Sequence, residues 1–211
     1  MNRIIPLFPL QLVVFPDEEL PIHVFEDRYL QLIKDCKRGK LNFGIPVFFE
    51  GKIEFGTEMI IKKIVRTYEN GVMDIVCKGK RVFKVEKFFN PIPNKLYAGG
   101  EVTFMPRKND GTQQQKQKVI DLIYQLYNSI DVTVASIDIE TFSSFSFAHK
   151  IGMNIEDEYK LIQIKSEHAR LRYLEKHLTK VLPVLKQVNR TKELIQMNGH
   201  FKNLDPLDFS G

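Results

Sequence analysis

Apolar and polar positions change places at short intervals through the first half of the chain. Phe43–Phe49 (FGIPVFF), Glu58–Val65 (EMIIKKIV), Met73–Cys77 (MDIVC), Arg81–Val85 (RVFKV) and Gly100–Phe104 (GEVTF) are short runs rich in β-branched and aromatic residues, which predicts strands. Turn signals separate them at Glu50-Gly51-Lys52, Glu69-Asn70-Gly71 and Lys78-Gly79-Lys80, and Asn-Gly is a strong hairpin signal because both residues tolerate positive φ. One helix interrupts the strands. Phe25–Cys36 places Phe25, Tyr29, Leu32, Ile33 and Cys36 on one face, the spacing of an amphipathic helix. Strands this short and evenly spaced form a small barrel or a sandwich.

The second half is helical in period. Gln113–Asn128 carries Val119, Ile120, Ile123, Leu126 and Tyr127 on one face. Asp131–Ser146 is ambiguous, with a strand-like Val132-Thr133-Val134 followed by Phe142 and Phe145. Phe147–Ile151 reads as a short helix ended by Gly152. Residues 155–185 read as two helices, the second capped by Ser166 and carrying an apolar stripe through Leu171, Leu174, Leu178, Val181, Leu182 and Leu185. Pro183 is expected to end or kink that helix, and Asn189–Gly211 to be irregular or weakly helical. The polar stretch Asn109–Thr112 is the natural boundary. The expectation is an α+β chain with a β-rich domain over residues 1–108 and a helical subdomain over residues 109–211.

The stretch Ile4–Pro16 (IIPLFPLQLVVFP) has the apolar weight of a signal sequence. It lacks a small-residue cleavage site, falls short of the roughly 20 apolar residues of a spanning helix, and contains Pro6, Pro9 and Pro16. It reads instead as a strand over Leu10–Phe15 leading into a core. The remaining sequence carries no targeting signal, and Cys36 and Cys77 form no metal-ligand pattern, although two cysteines could form one bridge. A cytoplasmic protein without a membrane segment is expected.

Charge is uneven. Residues 1–108 hold 18 Lys and Arg against 13 Asp and Glu, so the whole net charge of +5 lies there. Its densest part is Lys78–Lys87, where Lys78, Lys80, Arg81, Lys84 and Lys87 surround Phe83 and precede Phe88 and Phe89. Basic residues among aromatics can follow a nucleic-acid backbone and stack on bases; strand alternation with a solvated face gives the same pattern.

Catalytic signatures are missing from the sequence. It contains no P-loop, no dinucleotide fingerprint, no H-E-x-x-H and no G-x-S-x-G. His23, His149, His168, His177 and His200 make no metal-spaced set. The acidic triplet Glu156-Asp157-Glu158 sits where a helix starts, and there it complements the helix dipole. No enzyme activity, cofactor or metal is expected.

Several motifs resemble the N-terminal domain of Lon proteases: Ile5-Pro6-Leu7-Phe8-Pro9-Leu10, Val13-Val14-Phe15-Pro16, Leu20–Phe25 followed by Glu26-Asp27-Arg28-Tyr29, then Gly56-Thr57 and Gly79-Lys80-Arg81-Val82-Phe83. Arg170-Leu171 with Leu174 is similar to the helical segment that follows. Asp17 stands where the family commonly has glycine, so that turn is expected to differ. The resemblance implies a PUA-like β-barrel followed by helices, and a substrate-recognition module without the ATPase and protease domains. Its partners would then be polypeptide substrates, unfolded chains among them, or a protease. Phe48-Phe49 and Phe88-Phe89 are adjacent aromatics, so a strand must turn one of each pair away from its core; these residues are the candidate polypeptide contacts. The alternative is RNA binding by a PUA-like protein through Lys78, Lys80, Arg81, Lys84 and Lys87. A third reading, a hydrolase with an unfamiliar motif, would need a perturbed carboxylate or histidine in a cleft.

Overall fold

The computed structural model describes residues 3–201, with side chains to Thr191. It is a mixed α+β chain with the strands β1 (Arg3–Leu7), β2 (Glu19–Val24), β3 (Phe43–Phe49), β4 (Lys52–Thr67), β5 (Met73–Phe89) and β6 (Ala98–Phe104). Its helices are α1 (Asp27–Gly39), α2 (Gln113–Ser129), α3 (Ile155–Gln163) and α4 (Glu167–Phe201), with a 3₁₀ turn at Ala148–Lys150.

The strands form one sheet in the order β2-β5-β4-β3-β1-β6, and β5 also pairs with β6. The pairings β5–β4–β3–β1–β6–β5 therefore close on themselves, with β2 added outside the ring. The 17-residue β5 makes this possible. Its residues 73–78 pair with β2 and its residues 83–89 pair with β6, while β4 runs along both parts.

Two strand expectations and one helix expectation are corrected. Lys78-Gly79-Lys80 is not a turn: it lies inside β5, where the strand exchanges β2 for β6. Leu10–Phe15 is not a strand. The first strand is Arg3–Leu7, and the next residues follow β3 through the Phe8 N–H to the Gly44 carbonyl (2.8 Å) and the Phe48 N–H to the Leu10 carbonyl (2.7 Å). The chain then leaves the sheet and buries Val13, Val14 and Phe15. Phe25 is 63% exposed, because it precedes the N-cap Glu26 and so does not share the buried face of α1.

That face (Tyr29, Leu30, Leu32, Ile33, Cys36) is buried with Phe43, Ile45, Met59, Ile75 and Cys77 in the larger core cluster. A second cluster joins Ile5 and Leu7 of β1, Phe83 of β5, and Ala98 and Val102 of β6. Both cysteines are free. Asp17 adopts φ 71°, the left-handed conformation that glycine favours.

The chain divides into two compact units, Met1–Gly111 with Ser143–Arg170, and Thr112–Phe142 with Leu171–Gly211. In the first, Ser144–Phe145 is tied to the start of α4 by buried groups. Glu167 accepts hydrogen bonds from the Ser144 N–H and hydroxyl, and Arg170 pairs with Glu167. In the second, α2 opens with a capping box formed by Thr112 and Gln115 and buries Val119, Ile120, Ile123 and Leu126. The α4 stripe buries Leu171, Leu174, Leu178 and Leu182, and Lys118 pairs with Glu175 at 2.6 Å. Asp131–Asp138 holds no regular element. Pro183 does not end α4, which continues to Phe201. Pro183 is exposed, so the carbonyl that loses its donor there can turn to water. The tail beyond Phe201 lies outside the described residues.

Candidate functional site

Two register shifts bring two candidate phenylalanines to one place. The β3–β4 register slips between Pro46 and Phe48, and the β5–β6 register slips between Val85 and Lys87. Such bulges re-aim the side chains that follow them. Phe48 and Phe88, each 39% exposed, come to line one open groove of about 400 Å³. Leu10, Tyr29 and Ile53 supply further apolar lining; Gln11, Arg28 and Asn90 supply polar groups. Tyr29 is fixed from below by a stack on Phe8, with ring centroids 3.6 Å apart.

The neighbouring loop is held firmly. Lys95 pairs with Asp35 at 2.6 Å, the Tyr97 hydroxyl donates to Asp35 at 3.0 Å, and the Leu96 N–H donates to Gln31 at 2.7 Å. Asp35 is kept below the usual carboxylate range chiefly by its bond from Lys95.

The other two phenylalanines are placed differently. Phe49 packs against Tyr159 of α3, 5.6 Å between centroids, so it supports the β3–β4 hairpin. Phe89 is 37% exposed and does not line the groove. Both members of the Phe88-Phe89 pair are thus partly exposed.

The basic segment is largely compensated. Arg81 donates to Glu58 at 2.6 Å, and Lys80 stands 3.9 Å from the same carboxylate. Lys84 pairs with Glu86 at 3.6 Å and Lys87 with Glu101 at 3.2 Å. Lys78 lies opposite Glu19 in the β2–β5 register. The Arg81 guanidinium also covers the face of Phe104 at 3.5 Å. Lys80, Arg81, Lys84 and Lys87 thus stand beside the protein's own acids, while Glu19 opposite Lys78 is paired with Lys62, so the free positive charge of the segment is well below the five cations counted along the sequence.

The perturbed titratable groups also serve structure. Glu58 is 1% exposed; burial raises its pKa, but hydrogen bonds from Arg81 and Asn42 outweigh that and hold it below the ordinary value. Burial pushes the Cys36 and Cys77 thiols up to about 12, so neither is a thiolate nucleophile at neutral pH. His149 stands between Glu158 at 2.7 Å and Glu18 at 3.2 Å. Those bonds, Glu18 first, raise it to about 9 against the opposing effect of burial. The sequence offered no signal for this cluster, because Glu18 and His149 are 131 residues apart. Among the described residues, no group of three or more His, Cys, Asp and Glu could hold a metal ion, and no helix is long and apolar enough to cross a membrane.

Residues 4–197 match the sequence model of the ATP-dependent protease La (LON) substrate-binding domain. The chain belongs to this family. A Lon protease of Cytophaga hutchinsonii is 20% identical over 206 residues, which cover 86% of the chain. The chain spans about a quarter of that protease's length, since the match covers 25% of it. Among solved structures, a Lon N-terminal domain protein from Xanthomonas campestris superposes with a TM-score of 0.64 at 24% identity, over 82% of the chain and 96% of that structure. The N-terminal domain of a Mycobacterium avium complex Lon protease gives 0.61 at 15% identity, over 84% and 98%. At these identities the structural likeness establishes the Lon N-terminal fold.

Proposed function

We propose that this Lon-family substrate-binding domain is a non-catalytic recognition module that holds non-native polypeptides in the groove between Phe48 and Phe88. The observation that carries the reading is the convergence of these exposed rings, from strands 40 residues apart in sequence, on one apolar recess. Solvent-facing aromatics in a concave site supply large contact area at low entropic cost. An unfolded chain exposes the apolar side chains that would fill the recess, whereas a folded protein hides them. The closed ring of strand pairings supports reading the sheet as a PUA-like barrel, whose role is to hold the two rings at fixed separation.

The test is fluorescence anisotropy with a permanently unfolded, reduced and alkylated model protein. Phe48→Ser/Phe88→Ser is expected to weaken binding at least about tenfold, as removal of a central aromatic pair does. Both side chains are partly exposed, so the variant should keep its far-UV circular dichroism. Undiminished binding by a folded double variant would overturn the assignment of the groove.

A further inference from the structure

Within that recess the chemistry is not uniformly apolar. Arg28, in the first turn of α1, lies along the face of Tyr29 with its guanidinium carbon 4.5 Å from the ring centroid. Its Nε donates to one oxygen of Glu26 at 3.0 Å, and its Nη2 stands 2.7 Å from the same oxygen. Its Nη1 makes no hydrogen bond among the described residues, and its side chain is 47% exposed. Gln11 and Asn90, also in the lining, have side-chain amides that make no hydrogen bonds among the described residues. Arg28 is the charged residue of the lining.

A volume of about 400 Å³ is near the lower end of the range for small-ligand sites, roughly 300–1,000 Å³. It suits the last residues of a chain better than the middle of a long extended segment. We propose that the groove takes the C-terminus of a polypeptide, an apolar final residue seating between Phe48 and Phe88 and its α-carboxylate meeting the Arg28 guanidinium. The Gln11 and Asn90 amides are then placed to satisfy the last peptide groups, which would otherwise lose their water unpaired. Arginine suits the task because its planar fork binds carboxylate directionally while its stem stays stacked on a ring. This assignment rests on the groove reading above and adds the chemical class of the ligand.

The experiment uses the full chain and three peptides labelled at their N-termini. One ends in Phe-Leu with a free carboxylate. A second is its C-terminal amide. The third is an amide with Glu placed after Phe, which offers a side-chain carboxylate instead. Anisotropy is expected to show the free acid binding about tenfold tighter than the amide, the worth of one charge-assisted hydrogen bond. Arg28→Gln should bring the acid to the level of the amide and leave the amide unchanged. Acid and amide binding alike, with both weakened by Phe48→Ser/Phe88→Ser, would overturn the carboxylate assignment and leave the groove reading standing. Binding of the Glu amide as tightly as the free acid would overturn the choice of a chain end. Binding of all three that ignores the phenylalanine substitutions would overturn both readings. The contrast between acid and amide needs no variant, so it stands whether or not Arg28→Gln folds well.

Discussion

At the scale of single residues, Glu58 and Arg81 show how a basic segment becomes scaffold. Glu58 is buried while Arg81 keeps 41% of its side chain exposed, so the two are not equivalent. Removing Arg81 leaves a carboxylate without its main partner in a dry place. Removing Glu58 leaves a guanidinium that water can reach. Arg81→Ala is expected to cost about 1–3 kcal/mol, the range for a buried group that loses a hydrogen-bond partner while Asn42 still donates to it, and Glu58→Gln distinctly less. Urea unfolding followed by circular dichroism measures both; equal losses would refute the asymmetry. The pH sense follows from the lowered pKa of Glu58. Its contribution is present above its unfolded pKa and is lost as pH falls through the lower folded value. A charge count along the sequence could register five cations; it could not register the acids that tertiary structure places beside them.

At the scale of elements, His149 ties the 3₁₀ turn that contains it to Glu158 of α3 and to Glu18, just before β2. Its ordinary pKa of 6.5 rises to about 9 in the fold. The imidazolium is therefore favoured by folding. Its stabilisation is complete below about pH 6.5 and disappears as pH rises through about 9. Because the side chain is 36% exposed, the full Coulombic value is screened, and about 1–2 kcal/mol is a fair expectation at pH 6. His149→Gln should lose that stability at pH 6 and flatten the decline between pH 6.5 and 9, read by thermal melts across that range. An unchanged slope would show that His149 is not the titrating group.

Elements also show what periodicity could and could not reveal. The buried faces of α1 and α2 and the stripe of α4 were legible, because a 3.6-residue repeat follows directly from one-sided burial. The Ser166 cap was legible too: the Ala169 N–H donates to Ser166 at 3.2 Å. Leu10–Phe15 was misread, since burial without alternation does not distinguish a strand from a plug. In the candidate site, the adjacent phenylalanines were visible as a local feature. Which of them share a groove depends on two register shifts that leave no mark in composition.

At the scale of the molecule, β5 is shared between β2 and the closed ring, and Gly79 sits at the change of partner. Its N–H donates to the Glu18 carbonyl and its carbonyl accepts from the Asp17 N–H, each at 2.9 Å. A Cβ there would lie 2.3 Å from the Phe15 carbonyl oxygen and 3.2 Å from the Thr57 methyl. The first of these is backbone, which cannot rotate aside. Gly79→Ala is expected to destabilise by about 3 kcal/mol or more through overpacking, with a fall in the thermal midpoint. A midpoint unchanged within about 1 °C would contradict that close approach.

The sequence by itself determined the α+β class, the helical faces, the turns at Glu50-Gly51 and Asn70-Gly71, and the family, because these depend on local propensity, one-sided burial and motif order. Only the tertiary structure decided the ring closure, the continuity of β5 through Lys78-Gly79-Lys80, the pairing of Lys80, Arg81, Lys84 and Lys87 with acids, and the meeting of Phe48, Phe88 and Arg28. Each of these depends on the register and proximity of residues far apart in the chain, which the pattern of any single segment leaves open.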